Sequence, residues 1–206
     1  MDEAPRVRPA GDQALLVEFG TEISPEVNRR VQEFFRRASG HRVPGIGEMI
    51  SSYCSALVYY DPFLLSFSEI TAWAREFLGP RPAEEEAPVA VKEVPVLYGG
   101  ENGPDLSFVA RHNQISEEEV IRLHTGQTYR VYVVGFSPGF AAMGIGGLQT
   151  GIYAVESPGG WQLIGRTPLR LFDLEKSPPS FFQAGDYARF YAIDEKEFKE
   201  ILNRKI

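Results

Sequence analysis

An arginine, a glutamine, a histidine and a set of aromatic rings are the side chains of this sequence best suited to hold a small polar molecule. Arg166 stands between Gly165 and Thr167-Pro168. A guanidinium on such a shaped turn can clamp a carboxylate through two parallel hydrogen bonds, and it can equally serve in a structural ion pair. Gln149 and Tyr153 are an even number of positions apart, which puts them on one face of a strand. They line a polar pocket on one reading and satisfy backbone groups on the other. His124 closes a helical pattern just before Thr125-Gly126. It either meets the open carbonyls of the helix end or acts as a base or donor beside the run Gly135-Phe136-Ser137-Pro138-Gly139-Phe140. Phe136 and Phe140 offer apolar walls, as do Tyr153 and Trp161. His124 and Arg166 are therefore the catalytic candidates. Phe136, Phe140, Gln149, Tyr153 and Arg166 are the substrate-binding candidates.

Other chemistries are excluded on their own terms. Gly135-Phe136-Ser137-Pro138-Gly139 has the spacing of a nucleophile elbow, whose oxyanion hole uses the backbone N–H after the serine. Here that residue is Pro138, which has none. The glycines at 144, 146, 147 and 151 are followed by no Gly-Lys-Ser/Thr, and Gln149 stands where a dinucleotide fingerprint needs a glycine. They read as turn and barrel-bend glycines. His41, His112 and His124 have no metal-ligand spacing with each other or with Cys54, so no metal site is expected. Cys54, the single cysteine, reads as a small buried strand residue.

The whole composition sets the frame. The chain has 206 residues, 43% of them hydrophobic, with a net charge of −7. That is enough for one large domain or two small ones with real cores. No basic block points to nucleic acid. No apolar run is long enough to span a membrane. The acidic start Met1-Asp2-Glu3-Ala4-Pro5 is no secretory signal. One cysteine allows no internal disulfide, which fits a reducing, cytoplasmic location.

The elements that must position the site follow from pattern. A strand is expected over 14–19, and a helix from Pro25 capped by Ser24. A strand over 53–60 and a helix over 68–78 come next. The proline- and glutamate-rich run 79–88 marks a linker. The expected organisation is a small α/β sandwich over 1–80, a linker over 81–91 and a second domain over 92–206. That second domain opens with a strand over 89–97 despite Pro95, and a turn over 99–105. Helices follow over 107–113 and 116–124, the latter with a Ser116/Glu119 capping box. A strand over 129–134, further short strands to 193 and a helix capped by Asp194 complete it. Short strands between Gly/Pro turns suggest a β-barrel or closed sheet.

The order of these motifs resembles a known family. It includes Pro9-Ala10-Gly11-Asp12, Tyr60-Asp61-Pro62, Val94-Pro95-Val96-Leu97-Tyr98-Gly99-Gly100, Gly103-Pro104-Asp105-Leu106 and the Gly135 to Phe140 run. Gln149-Thr150-Gly151-Ile152-Tyr153, Ile164-Gly165-Arg166-Thr167-Pro168 and Leu171-Phe172-Asp173 complete it. Over nearly its whole length the chain is similar to the B subunit of bacterial 5-oxoprolinase, the KipI or allophanate hydrolase subunit 1 family. The resemblance implies an α+β protein with a cyclophilin-like C-terminal β-barrel. It implies a homologous C subunit and an A subunit as partners, a small lactam as substrate, and ATP used by the complex with no cofactor bound by this chain alone. Relatives also include part of a urea carboxylase and an inhibitor of a sensor histidine kinase, so those partners stand as alternatives. Two departures are visible. Ala142 replaces a tyrosine of the family pattern. Met143-Gly144-Ile145-Gly146 also joins runs that the family separates by a Pro- and Arg-rich segment. The expectation is an open chain between Met143 and Gly144.

Overall fold

A computed structural model describes residues 4–79, 91–135, 141–147, 149–153 and 160–204. The fold is α+β and divides into two compact units, Met1–Pro88 and Val89–Ile206. No helix among the described residues is long and apolar enough to cross a membrane.

In the first unit four antiparallel strands lie in the order β1-β2-β4-β3. They are β1 (Arg6–Pro9), β2 (Ala14–Glu18), β3 (Ile46–Ser51) and β4 (Ser55–Tyr60). Helices α1 (Pro25–Ser39) and α2 (Phe67–Arg75) share one core with the sheet. Alternation places Leu15 and Val17 of β2 beside their partners Val58 and Ala56 of β4. Val31 and Phe34 of α1, with Ile70 and Trp73 of α2, complete this core. Each Val, Leu, Ile or Phe among them contributes about 1.5–3 kcal/mol on full burial. Ser24 caps α1 as expected, accepting from Val27 N at 3.1 Å. α2 starts earlier than its pattern suggests because Ser66 and Glu69 form a reciprocal capping box. It stops at Arg75, where the backbone tightens into bonds such as Leu78 N to Arg75 O.

In the second unit six strands run in the order β6-β10-β5-β9-β7-β8 and form a nearly closed barrel. They are β5 (Val91–Tyr98), β6 (Thr128–Arg130), β7 (Ala141–Gly146), β8 (Gln149–Tyr153), β9 (Gln162–Thr167) and β10 (Tyr187–Ala192). Helices α3 (Leu106–Asn113), α4 (Glu117–Thr125) and α5 (Glu195–Asn203) accompany them. Pro95 fits inside β5 for a simple reason. Ile193 N donates to Val96 O at 3.0 Å, so Val96 faces β10. Pro95 directs its nitrogen the other way, where pairing with β9 is confined to Leu97 and Tyr98.

Four expectations change. Cys54 lies in the turn just before β4 and is only half-buried; its thiol donates to Glu22 O at 3.0 Å. The Ser116/Glu119 box is only half formed: Ser116 Oγ accepts from Glu119 N, while the Glu119 carboxylate takes a two-pronged bond from Arg122. The strand expected over 129–134 is confined to β6, because β10 pairs only with Thr128, Tyr129 and Arg130. The chain between Met143 and Gly144 is not open: β7 runs straight through it, paired with β8 on one side and β9 on the other.

Candidate functional site

Register decides which side chains meet. Across β9, β7 and β8, Arg166 pairs with Ala142, and Ala142 pairs with Tyr153. These three positions form one row, with the outer two roughly 10 Å apart at ordinary strand spacing. Gln149 lies on the same face by alternation along β8. Sequence spacing alone gives Gln149 and Tyr153 a common face, and pairing adds Arg166 to it.

A bulge brings Trp161 to that face as well. Between Met143 and Gly144 the β7–β9 register shifts, so that Met143 faces Gly165 but Gly144 faces Leu163. Ile164 is the extra residue, and it reverses the alternation of β9. Trp161 and Arg166, an odd number of positions apart, therefore share one face. The indole rests on two glycines: a Cβ on either Gly146 or Gly151 would fall 2.9 Å from its ring. Only hydrogen at both positions leaves room for it.

The bulge is fixed from the end of β5. Gly99 N donates to Ile164 O at 3.1 Å, and Asp105 N donates to Leu163 O at 2.9 Å. The Asp105 carboxylate accepts from Leu163 N at 2.8 Å. A Cβ on Gly103 would collide with Ile164 O at 2.1 Å. By its residue types Gly99 to Asp105 is a plain turn; in the fold it is the clasp that shapes β9. The signal was Asp105 directly after Gly103-Pro104, an acceptor placed where an N–H needs one.

His124 lies on the opposite, inner face. It is only 4% exposed. Its Nδ1 is 2.6 Å from Tyr98 Oη and its Nε2 is 3.0 Å from Thr150 Oγ1. Its ring stacks on Phe190 with centroids 4.6 Å apart, and its backbone carbonyl accepts from Tyr129 Oη at 3.0 Å. Burial pulls the imidazole down to about 4. Burial, reinforced by Tyr129, pushes the Tyr98 phenol well above its ordinary range. The histidine is therefore neutral and the phenol protonated near pH 7. Nothing in the sequence singles out Tyr98 and Thr150, because neither residue type announces a partner.

Phe136 and Phe140 lie outside the described residues, as does Ser137. Of the remaining candidates, Arg166 stands on the outer face in the row that includes position 153, Gln149 stands on the same face four positions along β8, opposite Gly146, and His124 stands behind the sheet. A depression lined by Arg6, Glu18, Phe19, Gly20 and Thr21 contains none of them. Among the described residues no three His, Cys, Asp or Glu side chains gather as metal ligands would. What the outer face offers chemically is a cation, an amide and an indole wall on one face of a paired sheet. That set suits recognition of a small planar molecule with a carboxylate.

Comparison with known proteins identifies the class. A family model described as carboxyltransferase domain, subdomain C and D, matches residues 5–144 and again 141–182. The 5-oxoprolinase B subunit of Bacillus subtilis (strain 168) is 36% identical over 227 residues, covering 94% of this chain and 95% of that protein. The protein of the same name from Escherichia coli O157:H7 is 32% identical, covering 91% and 94%. The crystal structure of a conserved uncharacterized protein from Pyrococcus horikoshii is 39% identical, covers 94% of this chain and all of that one, and has a TM-score of 0.51. The chain belongs to this carboxyltransferase C and D subdomain family, that of the 5-oxoprolinase B subunit, KipI and allophanate hydrolase subunit 1. The family match breaks into two at 141–144, within β7. The B. subtilis alignment spans 227 positions, more than the 206 residues of this chain. Relatives thus carry a segment that this chain replaces with the direct Met143–Gly144 connection.

Proposed function

We propose that this protein is a non-autonomous subunit of an ATP-dependent 5-oxoprolinase. It acts with A and C subunits in the cytoplasm to open 5-oxoproline to glutamate. The observation that carries this reading is the similarity to the 5-oxoprolinase B subunit, which runs through nearly the whole of both chains. The barrel is read as cyclophilin-like, with the domains at 1–80 and 92–206 joined by a linker over 81–91.

The outer face of β7, β8 and β9 supports the substrate assignment. Arg166 takes the carboxylate of the lactam through its planar fork. Gln149 meets the ring amide, whose N–H and C=O match the acceptor and donor of a carboxamide. The Trp161 indole supplies an apolar flank. ATP is used by the assembled complex, where phosphorylation of the lactam oxygen makes the ring carbon open to water. Water then adds to that carbon, the ring C–N bond breaks as the nitrogen takes up the electron pair and a proton, and phosphate leaves; fixed donors stabilise the charge that develops on the way best when they are already in place.

Reconstitution tests this. The chain alone is expected to release no glutamate from 5-oxoproline and ATP. The A and C subunits are expected to require this chain for full turnover. Turnover by the isolated chain, or full turnover without it, would sink the reading.

A further inference from the structure

The hairpin that forms the outer face is poorly fixed by its own side chains. β7 and β8 carry Gly144, Gly146 and Gly151, with Gly147 in the turn between them. β8 is also an edge of the sheet. Glycine-rich edge strands specify their register weakly, and a slip of one residue sends every side chain to the wrong face. Something outside the hairpin has to hold it.

Proton accounting shows what does. Thr150 Oγ1 lies 3.3 Å from Gly144 O, a pure acceptor, so the hydroxyl proton goes there. Thr150 oxygen is then left to accept from His124 Nε2–H at 3.0 Å. His124 Nδ1 in turn accepts the Tyr98 proton at 2.6 Å. The chain Tyr98 to His124 to Thr150 to Gly144 uses each proton once and ties β5, α4, β8 and β7 together. The Phe190 stack holds the imidazole against β10, and the Tyr129 hydroxyl, donating to the His124 backbone carbonyl, ties the end of α4 to β6. Alternation does the rest. With Thr150 drawn inward, its neighbours Gln149 and Gly151 face outward, and Gly151 seats Trp161.

We infer that His124 is a positioning residue: through Thr150 it pins β8 from inside the barrel, so that Gln149 and the Trp161 seat are presented on the outer face without His124 touching substrate. The link to catalysis rests on the reading of that face as the substrate site; the pin itself does not.

Thr150→Val removes the hydroxyl at nearly constant shape, and Thr150→Ser keeps it. Amide exchange over 141–153, followed by mass spectrometry on the full chain, reads the pin without any activity. Loss of one buried hydrogen bond should speed exchange in β8 by about tenfold in Thr150→Val, with Thr150→Ser close to wild type. In the reconstituted complex, Thr150→Val should raise KM for 5-oxoproline by about tenfold and leave kcat within a few-fold; Thr150→Ser should restore it. Unchanged exchange in Thr150→Val, or equal acceleration in both variants, overturns the pin. Faster exchange with unchanged KM supports the pin and removes the outer face as the substrate site.

Discussion

His124 makes a burden of its own burial, and pH exposes it. The imidazole is held near 4 against an ordinary 6.5. Above 6.5 it is neutral in the folded and unfolded chain alike. Between 6.5 and 4 the unfolded chain takes up a proton that the folded chain refuses, so stability falls with pH, by up to about 3 kcal/mol. Below 4 both states carry the proton and the loss levels off. Relative to wild type, His124→Gln should therefore gain about 3 kcal/mol between pH 7 and pH 4, read by urea unfolding across that range. A difference independent of pH would show that no buried neutral imidazole is present. Arg166 poses a different question at the same scale. As a carboxylate clamp, Arg166→Ala should weaken substrate use by about 2–5 kcal/mol, and Arg166→Lys should recover only part, since ammonium lacks the planar fork. Measuring kinetic constants and melting temperature together separates this from a structural role. A loss of stability with normal kinetics would take Arg166 out of the site.

Among the elements, the β7–β8 hairpin is shaped by what rests on its glycines. A methyl group on Gly151 would meet the Trp161 ring at 2.9 Å, while one on Gly160 would meet nothing within 4 Å. Gly151→Ala should destabilise by about 1–3 kcal/mol and shift tryptophan emission; Gly160→Ala should stay within about 0.5 kcal/mol of wild type. Thermal melts and fluorescence of the two variants check this, and equal effects would mean that the indole does not sit on the hairpin. Much of this architecture was legible beforehand. Ser24 and Asp194 announced their helices, and the apolar stripe through Val31 and Phe34 announced a buried face. β1 and β3 were not seen, because as edge strands they bury only one row and carry little apolar pattern. Gln149 and Tyr153 could be paired by period two. Trp161 and Arg166 could not, because only the Ile164 bulge gives their odd separation a common face, and a bulge is a property of pairing between strands. Likewise Thr150 became visible only when His124 was seen opposite it.

Both units take part in the family likeness, which extends over 94% of the chain against the B. subtilis protein. The hairpin is the place where this chain departs from its relatives. The outer face here carries Arg166 on β9, within the sheet. The parallel pairing of β5 with β10 has a separate consequence, which concerns time. β5 is the first strand of the barrel in the chain and β10 the last; Arg189 is paired with Glu93 in the ladder, and their side chains form a hydrogen bond across 96 positions. A chain made from its N-terminus at about 5–20 residues per second emits β5 some 5–20 s before β10 exists. The first unit has all its strands on hand by Tyr60 and can settle early. The barrel must keep an apolar strand, with Val94 and Val96 at its centre, waiting without its main partner until synthesis is nearly done. High contact order of this kind slows folding, and an apolar strand left exposed during synthesis is the kind of surface that aggregates unless it is shielded.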